Sequence, residues 1–135
     1  MPIAPTPSSD SVVSAARTTL GDSLRSVITF TPGDYDVVDL RHDLADDPVG
    51  RRLRSEFVDI ERFGFTSQGR FNRLSAEHGT EPGIGEYVAT IRAFTNGFVT
   101  RVIVGDHGVL VTTDEFDIGT FEELAVALRT LLATE

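Results

Sequence analysis

The sequence predicts an α+β domain, a five-stranded and mainly antiparallel sheet with three helices in the order αββαβββα. Three observations carry this. Two turn signals, Pro32-Gly33-Asp34 and Asn96-Gly97, each separate β-branched and aromatic stretches, as hairpins require. Three other segments place apolar residues at three- and four-residue steps, the helical spacing. The chain has 135 residues, 40% hydrophobic and 24% charged, enough for one packed domain. Sequential hairpins disfavour a parallel, doubly wound sheet.

Taken in order, residues 1–9, with Pro2, Pro5 and Pro7 among Thr6, Ser8 and Ser9, read as a disordered tail before a single domain at 10–135. Ser9 or Asp10 caps a first helix to about Leu24, striped by Val12, Val13, Ala16, Leu20 and Leu24. Ser26 to Thr31 and Tyr35 to Arg41 form the first hairpin. Asp46-Asp47-Pro48 opens a second helix, with carboxylates at its positive end and proline in its first turn. Val49, Leu53, Phe57 and Ile60 are its expected buried face. Residues 63–86 hold five glycines and a proline without a clear period, so a long loop is expected, with room for a short strand or helix over Phe65 to Leu74. Tyr87 to Phe94 and Phe98 to Val104 make the second hairpin, and Gly105-Asp106-His107-Gly108 turns into Val109 to Thr113. Thr120 with Glu123 spells a capping box for the last helix, lined by Phe121, Leu124, Ala125, Leu128, Leu131 and Leu132. The first and last helices are expected to share one sheet face.

Charge narrows the setting. The net charge is −9 and the pI about 4.7; every one of the twelve basic residues is arginine, against twelve aspartates and nine glutamates. A carboxylate-rich surface stays hydrated where concentrated salt screens its self-repulsion, which points to a halophile. The absence of cysteine excludes disulfides, zinc–thiolate sites, iron–sulfur clusters and a cysteine nucleophile. No apolar run approaches the ~20 residues of a membrane span. The start, MPIAPTPSSD, lacks the basic and apolar regions of a secretory signal, so a cytoplasmic protein is expected.

Catalytic motifs are weak. Gly21-Asp22-Ser23-Leu24 matches the signature block of a large esterase and lipase family, and Asp39-Leu40-Arg41-His42 supplies an Asp-x-x-His. However, Ser23 falls at a helix end rather than after a strand, and the second motif follows only sixteen residues on. Esterase activity is therefore an outside reading, and the chain is expected not to be an enzyme. His42, His78 and His107 show no ligand spacing, capping accounts for Asp46 and Asp47, and Gly83-Ile84-Gly85 lacks a phosphate loop's lysine. Neither a metal nor a cofactor is expected.

The arginines are the stronger signal. Arg51, Arg52, Arg54, Arg62, Arg70 and Arg73 stand against Glu56, Asp59 and Glu61 in one window, which nets +3 while the rest of the chain nets −12. Phe63, Phe65 and Phe71 interleave aromatic surface. Arg51, Arg52, Arg54, Phe63, Phe65, Arg70, Phe71 and Arg73 thus form a candidate docking set for an acidic protein partner. The plainer reading is local pairing, as of Arg52 with Glu56 four residues on. Nucleic acid is disfavoured, because the domain repels phosphate and salt removes counterion-release affinity. If Tyr87 to Phe94 is an edge strand, Tyr87, Ala89, Ile91 and Ala93 are candidate dimer-edge residues.

This element order, over roughly residues 10–134, resembles the roadblock, longin and profilin-like folds. Phe30-Thr31-Pro32-Gly33-Asp34-Tyr35, the stretch from Tyr87 through Phe94-Thr95-Asn96-Gly97-Phe98, and Gly108-Val109-Leu110-Val111-Thr112-Thr113 resemble small uncharacterised haloarchaeal proteins. The roadblock resemblance implies a homodimer through residues 49–60 and 87–94. The leading expectation is accordingly a non-enzymatic protein-interaction or regulatory module, a homodimeric roadblock-like adaptor. The alternative is a small-ligand sensor with an apolar pocket under loop 63–86, around Phe63, Phe65 and Phe71.

Overall fold

A computed structural model describes residues 9–44, 46–77 and 85–133. It runs α1 (Ser9–Leu20), β1 (Leu24–Phe30), β2 (Tyr35–Leu40), α2 (Pro48–Glu61), α3 (Phe63–Glu77), β3 (Thr90–Phe94), β4 (Gly97–Val104), β5 (His107–Thr113) and α4 (Ile118–Ala133). The strands form one sheet in the order β2-β1-β5-β4-β3, with every neighbouring pair antiparallel. This is the expected α+β class, its second helix prolonged past Arg62 by α3. Of the expected tail, residues 1–8 lie outside the described residues, and Ser9 already opens α1.

Two boundaries differ from expectation for local reasons. The first helix stops at Leu20 because Gly21 takes φ +56°, a left-handed conformation that terminates helices, and Leu24 instead begins β1. The last helix is capped by Asp117, whose carboxylate accepts the Thr120 amide at 2.9 Å. Thr120 therefore sits inside the first turn, and α4 starts at Ile118. At α2 the reading holds: Asp47 accepts the Gly50 amide at 2.8 Å, and Pro48 occupies the first turn.

One sheet face is closed by α1 and α4. Val12, Ala16, Leu124, Leu128 and Leu132 pack there on Val27, Val102, Val109 and Val111, all buried. On the other face, Val58, Phe57 and Phe65 cover Ile28, Phe30, Val99, Ile103 and Leu110. A helix over 63–77, longer than the short element allowed over Phe65 to Leu74, replaces the first part of the expected loop 63–86, of which residues 78–84 lie outside the described residues. Gly64 permits it, since a Cβ there would overlap the Arg101 guanidinium. Gln68 holds it down by donating to the Ile103 carbonyl at 2.9 Å.

Candidate interaction surface

Helix α2 is rotated from its expected phase. Val49, Leu53 and Ile60, expected in the core, are 67%, 59% and 57% exposed, and Phe63 beyond them is 76% exposed. The inward line instead runs through Arg54, Phe57, Val58, Glu61, Phe65 and Gln68, spaced at helical steps but half polar. Glu61 sets this phase. Its carboxylate is fully buried, accepting from Arg101 Nη1 at 2.9 Å and Arg92 Nε at 2.6 Å. Arg101, itself buried, also donates to Thr90 Oγ1 at 2.9 Å and to the Tyr87 hydroxyl at 3.2 Å. A buried carboxylate is tolerated only when paired and hydrogen-bonded in this way.

The same contacts join α2 to the sheet edge. Among the described residues β3 is the terminal strand of the sheet and pairs with β4 alone. Thr90, Arg92 and Phe94 face the helices, through Arg101, Glu61 and the Phe57 ring 5.9 Å away. Ile91 and Phe94 are exposed. The outcome is an apolar line on α2 beside an unextended strand edge.

The candidate residues divide. Ile91 and Ala93 lie on the edge strand and are exposed. Tyr87 and Ala89 precede it: Tyr87 stacks on Phe71 at 4.9 Å and bonds inward, and Ala89 packs against the α1–α4 core. Arg51, Arg52, Arg70, Arg73 and Phe63 are exposed. Local pairing accounts for several arginines: Arg54 lies 3.3 Å and Arg51 3.6 Å from Asp46, and Arg62 bonds Asp59 and the Thr31 carbonyl. Arg52, expected to pair with Glu56, shows no ion pair with it. Phe65 packs edge-on against Phe30 at 5.3 Å, so it and Phe71 are engaged in packing rather than lining a pocket.

A groove does exist elsewhere, between the N-terminal half of α2 and the sheet. It measures about 460 Å³ and is lined by Leu40, Leu44, Arg54, Phe94, Phe98 and Thr112, among others. A smaller apolar recess of about 120 Å³ adjoins it at Leu53, Phe57 and Leu110. The Ser26 and Thr112 hydroxyls, 2.6 Å apart, satisfy one another on its floor.

The esterase motif is not assembled. Ser23 lies in a short 3₁₀ turn where its hydroxyl accepts the Glu115 amide, and Asp39 is ion-paired with Arg17. His42 is exposed, while His78 lies outside the described residues. Among the described residues no three acids or histidines gather as a metal site would require, and no helix is long and apolar enough to cross a membrane. Near that turn, Arg41 and Arg25 both bond Asp114 and hold its carboxyl down to about 2. Arg41 likewise lowers the carboxyl of Asp43.

Comparison with known proteins agrees with this architecture. Residues 10–133 match the family described as Domain of unknown function (DUF7522), and the chain belongs to that family. The search of curated proteins found no match. Among solved structures, Myxococcus xanthus MglB superposes with a TM-score of 0.55 at 9% identity, over 96% of this chain and 93% of that one. The gliding protein MglB from Thermus thermophilus gives 0.54 at 11%, covering 91% and 89%. A structure described as MglB with tetrameric arrangement gives 0.52 at 15%, covering 91% and 88%. The fold is therefore of the roadblock/longin-like type.

Proposed function

We propose that this chain is a non-enzymatic regulatory interaction module that acts as a homodimer, its two copies meeting through α2 and β3. The carrying observation is the exposed line Val49, Leu53, Ile60 and Phe63 on the helices packed beside the β3 edge, where Phe94 is exposed on the same sheet face. Large apolar side chains exposed in one contiguous array mark an interaction site. A strand edge offers backbone donors and acceptors that a second copy of the same strand can match. The tetrameric arrangement described for one structural neighbour supports assembly in this fold. The exposed Arg51 and Arg52 on α2, and Arg70 and Arg73 on α3, suit an acidic protein partner in a cell rich in salt, the cytoplasm of a halophilic archaeon. Light scattering across protein concentration in molar KCl tests the dimer. A mass of twice 14.7 kDa that falls toward the monomer in an Ile60→Asp variant is expected. A strictly monomeric wild type contradicts the proposal.

The groove under α2 favours a second reading, a small-ligand sensor, with its pocket there rather than under residues 63–86. A panel of small apolar carboxylates and their neutral amides, read by thermal shift, tests it. A shift abolished by Thr112→Leu, which fills the floor, is its expected signature, and no shift across the panel removes it.

A further inference from the structure

We infer that Glu61 determines whether two β3 edges can pair, by cancelling part of the positive charge that Arg92 brings to the axis between them. The inference rests on the homodimer proposed above. A two-fold pairing of identical edge strands is antiparallel, and the register using all five residues of β3 sets Arg92 opposite its own copy. Directly opposed residues approach to roughly 5 Å between Cβ atoms, where like charges destabilise pairing. Arg92 is thus the least favourable residue for that position unless its charge is compensated within each protomer.

Glu61 supplies the compensation. It contacts Arg92 at 2.6 Å and Arg101 at 2.9 Å while its side chain is only 1% exposed. Arg101 is 7% exposed and Arg92 44%, so Arg92 carries the cluster's charge to the surface. Arg101's other partners, Tyr87 and Thr90, are neutral hydroxyls. The cluster therefore carries +1 per copy, and it would carry +2 without Glu61. The residual charge, carried to the surface by Arg92, still opposes dimerisation, most strongly at low salt.

This makes two substitutions act in opposite directions. Glu61→Gln leaves both arginines uncompensated and should weaken dimerisation by roughly three- to tenfold. Arg92→Gln leaves a neutral Glu61–Arg101 pair and should tighten it by a similar factor. Net charge predicts the reverse order, because Glu61→Gln makes the acidic chain less negative and Arg92→Gln makes it more so. A purely structural role for the pair predicts that both weaken it alike.

The experiment is sedimentation equilibrium of the full chain and both variants, at the lowest KCl at which circular dichroism shows each folded. Opposed shifts in the stated directions support the inference; shifts in the reverse directions, parallel losses or unchanged constants overturn it. Should Glu61→Gln fail to fold, Arg92→Gln decides alone: tighter association supports, equal or weaker association overturns. A monomeric wild type defeats the dimer proposal and this inference together, whereas a dimeric wild type with unmoved variants defeats this inference only.

Discussion

The two faces of the sheet are finished differently. Under α1 and α4, side chains interdigitate without a charge among them: Val12, Ala16, Leu124, Leu128 and Leu132 are all buried against valines. Under α2 and α3, a single aliphatic residue of α2, Val58, is fully buried beside a buried glutamate, while Val49, Leu53 and Ile60 point outward. The first face is closed by apolar packing, with the Arg17–Asp39 ion pair at its rim. The second joins an apolar cluster around Val58 to Glu61, Arg101 and Gln68, a polar framework that fixes the orientation of the helices and leaves Val49, Leu53 and Ile60 exposed.

Mutations should separate the two faces. Leu128→Ala, in the closed face, is expected to cost about 2–5 kcal/mol in chemical denaturation, the range for cavities in packed cores. Leu53→Ala on α2 should change stability, measured at concentrations that keep the chain monomeric, by less than about 0.5 kcal/mol. Equal losses at the two sites would erase the distinction. Gly64→Ala should cost about 1–3 kcal/mol, because the added methyl displaces the Arg101 guanidinium from Glu61. A Gly69→Ala control, where nothing lies near the added Cβ, should be neutral or stabilising.

Smaller effects belong to the periphery of the closed face. Asp117→Ala removes the α4 cap and should cost about 1 kcal/mol. The smallest concerns Asp114, whose folded carboxyl sits at about 2, against an unfolded value near ~3.9. The unfolded state binds the proton first on acidification, so the contribution of this group is complete above pH ~4 and is lost as pH falls through about 2. Asp114→Asn should flatten urea midpoints over that window and leave the profile at neutral pH parallel to the wild type.

Hydrophobic periodicity is a sound guide where helices meet the sheet with apolar side chains alone. Val12, Ala16, Leu124 and Leu128 are readable from spacing, as are both hairpins from their turn residues. Periodicity misassigns α2 because the stripe that faces inward contains Arg54, Glu61 and Gln68, whose burial depends on partners distant in sequence. Glu61 meets Arg92 and Arg101 across 31 and 40 residues, a separation no local pattern reports, so in sequence it reads only as a counter-charge within the arginine window. Helix α3 is hidden by Gly64 and Gly69, the first of which is required by the approach of Arg101 rather than by a turn. Of the site, Ile91 and Ala93 are legible from strand alternation; the exposure of Leu53 and Ile60 is not.

Amide hydrogen exchange at Thr90–Phe94, followed from dilute to concentrated protein in molar KCl, bears most directly on the claim that the α2–β3 side is a self-association surface. The account predicts that these amides slow as concentration rises while those of α4 keep their rates. Exchange in β3 that stays the same at every concentration would contradict it.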